Sequence, residues 1–382
     1  MSKDKQHSTL KVIIAGGGTG GHVFPAIAIA TALKKKVIDA RILFVGAKGR
    51  MEMQKVPEAG FHIIGLDIAG LQRRLTWKNF LLPWKVLKSI RGAKKIVRRF
   101  RPDVVIGVGG YASGPLLWAA KREQIPMLIQ EQNSFPGLTN RLLGKKADKI
   151  CVAYENMEKY FPKQKLYITG NPIREEVVSI EGKREEALDY FGLSGDGPVL
   201  LVTGGSLGAR TLNESMAIHL DGFLEQGIRV IWQTGRLYFS EAQSIQQQLK
   251  HRQNVAVKQF INRMDYAYAA ADLVVSRAGA IAVSELCVIR KPAILIPSPH
   301  VAEDHQTKNA MALVNHHAAV MIRDTDARSM LGEEVRALIF DQNKMHRLKE
   351  RMAALSYRNA AGVIAGVVLS IVKTNYKVIN EQ

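Results

Sequence analysis

Apolar and polar positions along this chain fall into two alternating kinds of block. Short, nearly continuous apolar runs, each closed by a glycine or a polar turn, alternate with longer stretches whose apolar residues recur three and four apart. The first pattern fits strands buried on both faces, the second amphipathic helices. In the first half, strands are expected at Lys11–Ala15, Arg41–Val45, His62–Leu66, Asp103–Val108, Met127–Gln130, Lys149–Ala153 and Leu166–Thr169. Helices are expected at Phe24–Lys36, Met51–Ala59, Trp84–Arg99, Leu116–Glu123 and Leu138–Lys145. That rhythm predicts an α/β architecture with a doubly wound parallel sheet. The segment Gly170–Arg174 (GNPIR) breaks it, and a charged stretch follows to Glu186, so the inter-domain connection is placed there. The second half repeats the scheme, with strands at Pro198–Thr203, Arg229–Gln233, Val255–Gln259, Leu273–Ser276, Ala293–Ile296 and Ala318–Ile322.

Each half opens on a strand followed by a glycine-rich turn: Gly16–His22 (GGGTGGH) after Lys11–Ala15, and Gly204–Ala209 (GGSLGA) after Pro198–Thr203. Glycine allows close backbone approach, and the following helix N-terminus presents N–H groups that favour an anion. Two such turns point to two Rossmann-like domains facing one another across a cleft. A length of 382 residues, too long for one compact core, agrees.

Composition changes the picture in one respect. Hydrophobic content of 47% and charged content of 23% describe an ordinary soluble protein. Cys151 and Cys287 fit no metal or redox spacing, which favours a reducing compartment. The first residues lack a signal peptide's apolar stretch, and Ala360–Val372 is too short and too glycine-interrupted to span a bilayer. The charge is the departure: 54 basic against 34 acidic residues give +20. Between Ile68 and Arg101 there is no acid, while Arg73, Arg74, Lys78, Lys85, Lys88, Arg91, Lys94, Lys95, Arg98, Arg99 and Arg101 accumulate. An anionic partner follows, either nucleic acid or lipid headgroups. Leu75, Trp77, Phe80, Leu81, Leu82 and Trp84 are interleaved with these cations, a pairing typical of membrane interfaces, and no nucleic-acid-binding motif accompanies them. Pro83 is expected to start the helix there, with Leu87, Ile90 and Val97 toward the core.

The candidate chemistry sits at strand ends. Gly16, Gly18 and Gly21 satisfy the dinucleotide fingerprint, but Arg41–Val45 runs into Gly46, Ala47 and Lys48 without the carboxylate that a nicotinamide enzyme needs for the ribose. A dinucleotide-binding oxidoreductase is therefore the weaker alternative. His22, at the start of the first helix, would face whatever the loop binds. Glu131, Gln132 and Asn133 follow the fifth strand, as a ligand loop or as an ordinary polar turn. Ser206 could cap its helix or bind a phosphate. Glu285 stands in the first turns of a helix opened by Gly279, either gripping sugar hydroxyls or solvated. Asp324 and Asp326 imitate a metal-binding Asp-x-Asp, but Asp326 is a natural N-cap, so no metal site is expected.

Taken together, seven segments resemble the MurG family within glycosyltransferase family 28, over nearly the whole chain from Lys11 to about Val372. They are Gly17–Pro25 (GGTGGHVFP), Gly109–Pro115 (GGYASGP), Glu131–Asn133 (EQN), Gly170–Arg174, Gly204–Ala209, Ser276–Gly279 (SRAG) and Asp304–Asn309 (DHQTKN). The resemblance implies a GT-B fold: an acceptor- and membrane-binding domain over 1–170, a UDP-sugar domain over 171–355, and a final helix, about 356–382, packing back on the first. It implies an inverting enzyme that moves N-acetylglucosamine from UDP-N-acetylglucosamine to the C4 hydroxyl of MurNAc in undecaprenyl-pyrophosphoryl-MurNAc-pentapeptide, turning lipid I into lipid II. This is a step of peptidoglycan synthesis, on which cell wall, shape and division depend. A related UDP-sugar-dependent glycolipid synthase is the alternative within the fold.

By similarity, Thr19, Gly20, Gly21 and Asn133 would touch the sugar or diphosphate, and Arg174 and the backbone at Ile261 the uridine. Ser206 would meet a phosphate oxygen, Glu285 the ribose and Gln306 the N-acetylglucosamine hydroxyls. Ala280, Ile281, Ala282, Val283, Ser284 and Glu285 would form the helix start beside the diphosphate. His22 is the candidate general base and Glu131 the runner-up. No metal or other cofactor is expected, and no nucleic acid. The enzyme would be peripheral on the cytoplasmic face of the bacterial inner membrane, touching anionic phospholipids through Arg73, Arg74, Trp77, Lys78, Phe80, Leu81, Trp84, Lys85 and Lys88. Two departures from the family stand out: Gln130 where many relatives have His, and Arg290 before Lys291 and Pro292 where many have Gly.

Overall fold

A computed structural model describes residues 9–68, 82–110, 112–205 and 208–372. The chain divides into two compact units, residues 1–174 with 359–382, and residues 175–358. The boundary thus falls after Arg174 rather than at 170, and the return to the first unit begins at Asn359.

The first unit holds strands β1 (Lys11–Ala15), β2 (Arg41–Ala47), β3 (His62–Leu66), β4 (Val104–Gly107), β5 (Met127–Glu131), β6 (Lys149–Val152) and β7 (Leu166–Ile168). Its helices are α1 (Gly20–Lys36), α2 (Glu52–Glu58), α3 (Leu82–Phe100), α4 (Ser113–Arg122) and α5 (Leu138–Gly144). All seven strands pair in parallel, in the order β3-β2-β1-β4-β5-β6-β7. The order reverses between β1 and β4, which makes the carboxyl ends of those strands the natural ligand edge.

In the second unit the helices are α6 (Glu175–Val178), α7 (Arg184–Phe191), α8 (Arg210–Glu225), α9 (Phe239–Gln248), α10 (Met264–Ala270), α11 (Ala280–Ile289), α12 (His305–Val314), α13 (Ala327–Ile339) and α14 (Gln342–Ala354). Its parallel sheet runs β10-β9-β8-β11-β12-β13, built from β8 (Val199–Thr203), β9 (Arg229–Gln233), β10 (Val255–Lys258), β11 (Leu273–Ser276), β12 (Ala293–Leu295) and β13 (Val320–Met321). The last predicted strand, Ala318–Ile322, is shortened to its central pair.

Why continuous apolar runs become strands is visible in the cores. Side chains alternate across a sheet, so both faces need apolar residues when helices cover both. In β1, Val12 and Ile14 point to the face covered by α1, while Ile13 and Ala15 join the α4 residues Leu116 and Leu117 on the other. β8 divides likewise, Leu200 and Val202 packing with α8 residues and Val199 and Leu201 with residues of α10 and α11. Helix α15 (Ala360–Ile371) returns to the first unit, where Ile364, Ala365 and Val368 are fully buried in the same cluster as Val23, Ile27 and Ile29 of α1.

Helix α3 corrects one expectation. Its core side is Ser89, Ala93 and Val97, each at most 4% exposed, whereas Leu87 is 48% exposed and joins Trp84 and Val86 on the solvent side. The set 89, 93, 97 keeps helical spacing with small residues, which lets α3 lie close to its neighbour α4.

Ile364→Ala should destabilise the protein by about 2–4 kcal/mol through lost burial and the cavity left behind. Chemical denaturation should show that loss in the transition that exposes Trp118, which lies in the first unit.

Candidate active site

The carboxyl edge of the first sheet assembles from backbone inward. After β1 the chain turns through Gly16–Thr19, and Thr19 adopts an extended conformation (φ −142°, ψ 159°) before α1 begins. No side chain caps this end; the Thr19 carbonyl instead accepts the N–H groups of His22 and Val23, both at 3.1 Å. His22 therefore rides on the first turn of α1, partly exposed, with Nδ1 3.3 Å from Thr19 Oγ1. The opposite edge of its ring packs on the loop after β4: a β-carbon on Gly109 would stand 2.7 Å from His22 Cδ2 and 2.8 Å from Nε2. Gly110, at φ +79°, runs so close to the first loop that a β-carbon there would lie 2.3 Å from the Gly17 carbonyl oxygen. Only glycine satisfies both demands.

A buried polar network follows β5. Glu131, 2% exposed, accepts four hydrogen bonds: from the Asn133 backbone N–H at 3.0 Å and Nδ2 at 3.2 Å on Oε1, and from Gly137 N–H at 3.1 Å and Asn140 Nδ2 at 2.9 Å on Oε2. Burial pushes this carboxyl above the ordinary glutamate range, while the donors from Asn133, Asn140 and Gly137 pull it back. A carboxylate has about four lone-pair positions, and here all are taken. That is the physical reason against Glu131 as a base: it fixes the loop that carries Asn133.

Gln130 lies fully buried and donates to Asn171 Oδ1 at 3.2 Å, and Asn171 Nδ2 donates to the Gln132 carbonyl at 3.0 Å. The loop after β5 and the GNPIR segment are thereby fastened together. Arg174, at the end of that segment, stacks its guanidinium 4.2 Å over the Phe24 ring of α1. Phe24 had no role in the sequence reading, because an aromatic inside an apolar helix reads as core.

In the second unit the predicted donor residues 280–285 all lie on α11. Gly279 is the extended N-cap of that helix (φ −66°, ψ 140°), as its sequence position suggests. Among residues 280–285, Val283 is 1% exposed and sits in the core, so only its backbone can meet a ligand. Glu285 is 7% exposed and accepts from Tyr268 Oη at 2.9 Å, which overturns the reading of a solvated helix glutamate. The loop leading to α11 is braced by Arg277, whose Nη1 donates to Asp324 Oδ1 at 2.5 Å and to the carbonyls of Ile296 and Pro297. Asp324 also accepts from Thr211 Oγ1 at 2.9 Å. Asp326, expected as an N-cap, accepts no cap hydrogen bond; its carboxylate goes to Arg323 Nε at 2.7 Å and Thr325 Oγ1 at 2.8 Å.

Gln306, in the first turn of α12, accepts the Ser298 N–H on Oε1 at 2.8 Å, and Asn309 of the same helix donates to the Ala278 carbonyl. The N–H of Ile261 donates to Gln233 Oε1 at 3.0 Å, so this backbone amide is already engaged within the second unit. Ser206 and the cationic and aromatic residues Arg73, Arg74, Trp77, Lys78, Phe80 and Leu81 lie outside the described residues. Among the described residues no helix is long and apolar enough to cross a membrane.

Comparison with known proteins places this arrangement. Two family profiles match: the glycosyltransferase family 28 N-terminal domain over residues 12–152 and the glycosyltransferase family 28 C-terminal domain over residues 199–364. The chain is 52% identical over 364 residues to the UDP-N-acetylglucosamine--N-acetylmuramyl-(pentapeptide) pyrophosphoryl-undecaprenol N-acetylglucosamine transferase of Parabacteroides distasonis, covering 95% of this chain and 98% of that one. The Flavobacterium psychrophilum protein of the same name is 50% identical over the same shares of the two chains. Among solved structures, Acinetobacter baumannii MurG superposes with a TM-score of 0.74 at 28% identity, over 94% of this chain and 99% of that chain.

Helix α10, which carries Tyr268, is anchored at its start by Asp265. Its carboxylate takes Arg263 Nε at 2.9 Å, Arg263 Nη2 at 2.8 Å and Lys183 Nζ at 3.0 Å. The Arg263 hydrogen bond, aided by Lys183, holds this carboxyl down at about 2, from an ordinary 3.8. A depressed acid stabilises the fold above its unfolded value and loses that contribution as pH falls through the folded one. Asp265→Asn should therefore cost roughly 1–2 kcal/mol at neutral pH. Denaturant titrations should show the gap between the two proteins closing as pH falls from about 4 to about 2.

Proposed function

The chain belongs to glycosyltransferase family 28, and from that premise we propose a division of labour between its residues. The protein is a UDP-N-acetylglucosamine-dependent glycosyltransferase of peptidoglycan synthesis, converting lipid I to lipid II. The observation that carries this reading is the full-length match to the transferases described above together with retention of all seven motif segments.

In the proposed reaction His22 takes the proton of the MurNAc C4 hydroxyl. The ring's Nδ1 lies 3.3 Å from the Thr19 hydroxyl, a contact that would hold the ring in orientation. The C4 oxygen forms a bond to the anomeric carbon from the side opposite UDP, the bond from that carbon to the β-phosphate oxygen breaks, and UDP leaves with the electron pair. The configuration inverts. Charge growing on the diphosphate is met by the α11 N-terminus and the second glycine turn, so the chemistry calls on no metal. Glu285, held by Tyr268, would accept the ribose hydroxyls; Gln306 would bind sugar hydroxyls through its amide nitrogen; Arg174, steadied by Phe24, would reach the uridine.

The polyprenyl chain of the acceptor stays in the bilayer, so we place the enzyme as a peripheral protein on the cytoplasmic leaflet. Helix α3 supports that surface: Trp84 is 64% exposed beside exposed Val86, Leu87 and Lys88, with Arg91 stacked 5.9 Å over the Trp84 ring. Apolar groups among cations gain both insertion and attraction to anionic headgroups.

Incubation of the protein with lipid I and labelled UDP-N-acetylglucosamine should yield labelled lipid II; absence of transfer would refute the assignment. In the same assay His22→Ala should lower kcat by about 10²–10⁴-fold while donor affinity holds. Near-normal turnover would remove His22 as the base. Reversing the charges of Lys78, Lys85 and Lys88 together should weaken flotation with anionic vesicles by about tenfold or more. UDP binding should be untouched, and undiminished flotation would exclude this surface.

A further inference from the structure

The side-chain amide of Gln132 is buried at the carboxyl edge of the first sheet, 1% exposed, and its two ends are treated differently. Its Nε2 donates to the Val108 carbonyl at 2.7 Å and to Gln130 Oε1. Two acceptors on that side fix which way the amide points. Gln130 in turn donates to Asn171 Oδ1 at 3.2 Å, and Asn171 Nδ2 returns to the Gln132 carbonyl at 3.0 Å, so the circuit closes. Within it Gln132 Oε1 is left buried without a hydrogen-bond partner. An unfilled acceptor in so complete a network points to a donor that arrives at another stage.

That oxygen borders the same space as the His22 ring. Around the position a Gly109 β-carbon would take, His22 Nε2 stands at 2.8 Å and Gln132 Oε1 at 3.7 Å. On the other edge of the ring, Nδ1 lies 3.3 Å from Thr19 Oγ1. A neutral imidazole has one N–H to donate and an imidazolium has two, so the charged ring needs an oxygen on each edge. We propose that Gln132 is a positioning residue for His22, its Oε1 accepting the Nε2 hydrogen. The lone pair then lies on Nδ1, and there, beside Thr19, the ring takes the hydroxyl proton and becomes an imidazolium held at both nitrogens. This rests on the reading of His22 as the base, but the state of the ring can be measured without turnover. The charged groups on the surrounding elements are Glu52 of α2, which accepts the Gly18 and Ala47 N–H groups at 2.9 Å, Glu131 of β5, and Arg174 over Phe24. All of them stay in place when Gln132 is replaced.

The test is nitrogen-15 NMR of the full-length protein labelled in its histidines, with the His22 signals identified by their loss in His22→Ala. In the neutral wild-type ring the hydrogen should sit on Nε2. In Gln132→Met, which removes the acceptor, His22 should titrate about one pH unit lower than in the wild type, because the protonated ring has lost a partner. In Gln132→Glu, which keeps an oxygen there and adds charge, it should titrate about one pH unit higher, and this variant serves if the methionine one fails to fold. A wild-type hydrogen on Nδ1 would overturn the proposal with no variant needed. An unchanged His22 titration in either folded variant would do the same. With lipid I as acceptor, Gln132→Met should lower kcat about tenfold and leave the KM for UDP-N-acetylglucosamine within about twofold. If the NMR changes appear and kcat holds, His22 is not the base; if they appear and the wild type transfers no sugar, the transferase reading fails, and in both cases the Gln132–His22 pair stands.

Discussion

Backbone amides that neither strand nor helix can use must still find acceptors once buried, and in the first unit two carboxylates supply them. Glu52 and Glu131 are each at most 2% exposed, and each accepts from the loops that leave the carboxyl edge of the sheet. A buried carboxylate without a cation is costly unless its oxygens are filled with donors, so charge and loop shape enforce one another. The position of His22 and of Asn133 depends on this arrangement. His22 rests on Gly109, and the loop bearing Gly109 and Gly110 is set against Gly17, whose neighbour Gly18 is tied to Glu52.

The second unit meets the same demand by other means. Its key loop, between β11 and α11, is pinned by a cation: Arg277 reaches two carbonyls and Asp324. Its one prominent buried carboxylate near the proposed donor residues, Glu285, has a phenol for a partner. An anionic donor suits such a site, since the first turn of α11 carries no acid and an arginine stands behind it. The loops at the carboxyl edges of the two sheets therefore sit in different electrostatic settings.

The strand–helix order was legible because burial of both sheet faces writes itself as continuous apolar runs, and every predicted strand appears within a residue or two of its expected limits. Contacts that depend on tertiary approach were not legible. Glu52 reads as an ordinary acid at a helix start, a favourable place by the helix dipole, and nothing local reveals that Gly17 and Gly46 leave space for it. Leu87 fits the apolar stripe of α3, yet small residues won the buried face because α4 lies close. Glu131 looked like a base because a carboxylate at a strand end is ambiguous until its hydrogen-bond partners, Asn140 and Gly137, are in place.

Helix α15 completes the layer over β1 and α1, although an entire second unit separates them in the chain. During translation the first sheet consequently emerges with an apolar strip bare, and the helix that covers it follows only after the second unit. The second unit, whose cores draw on contiguous sequence, has no such wait. A nascent polypeptide of this kind leaves His22 on an unfinished support until the whole second unit has been made.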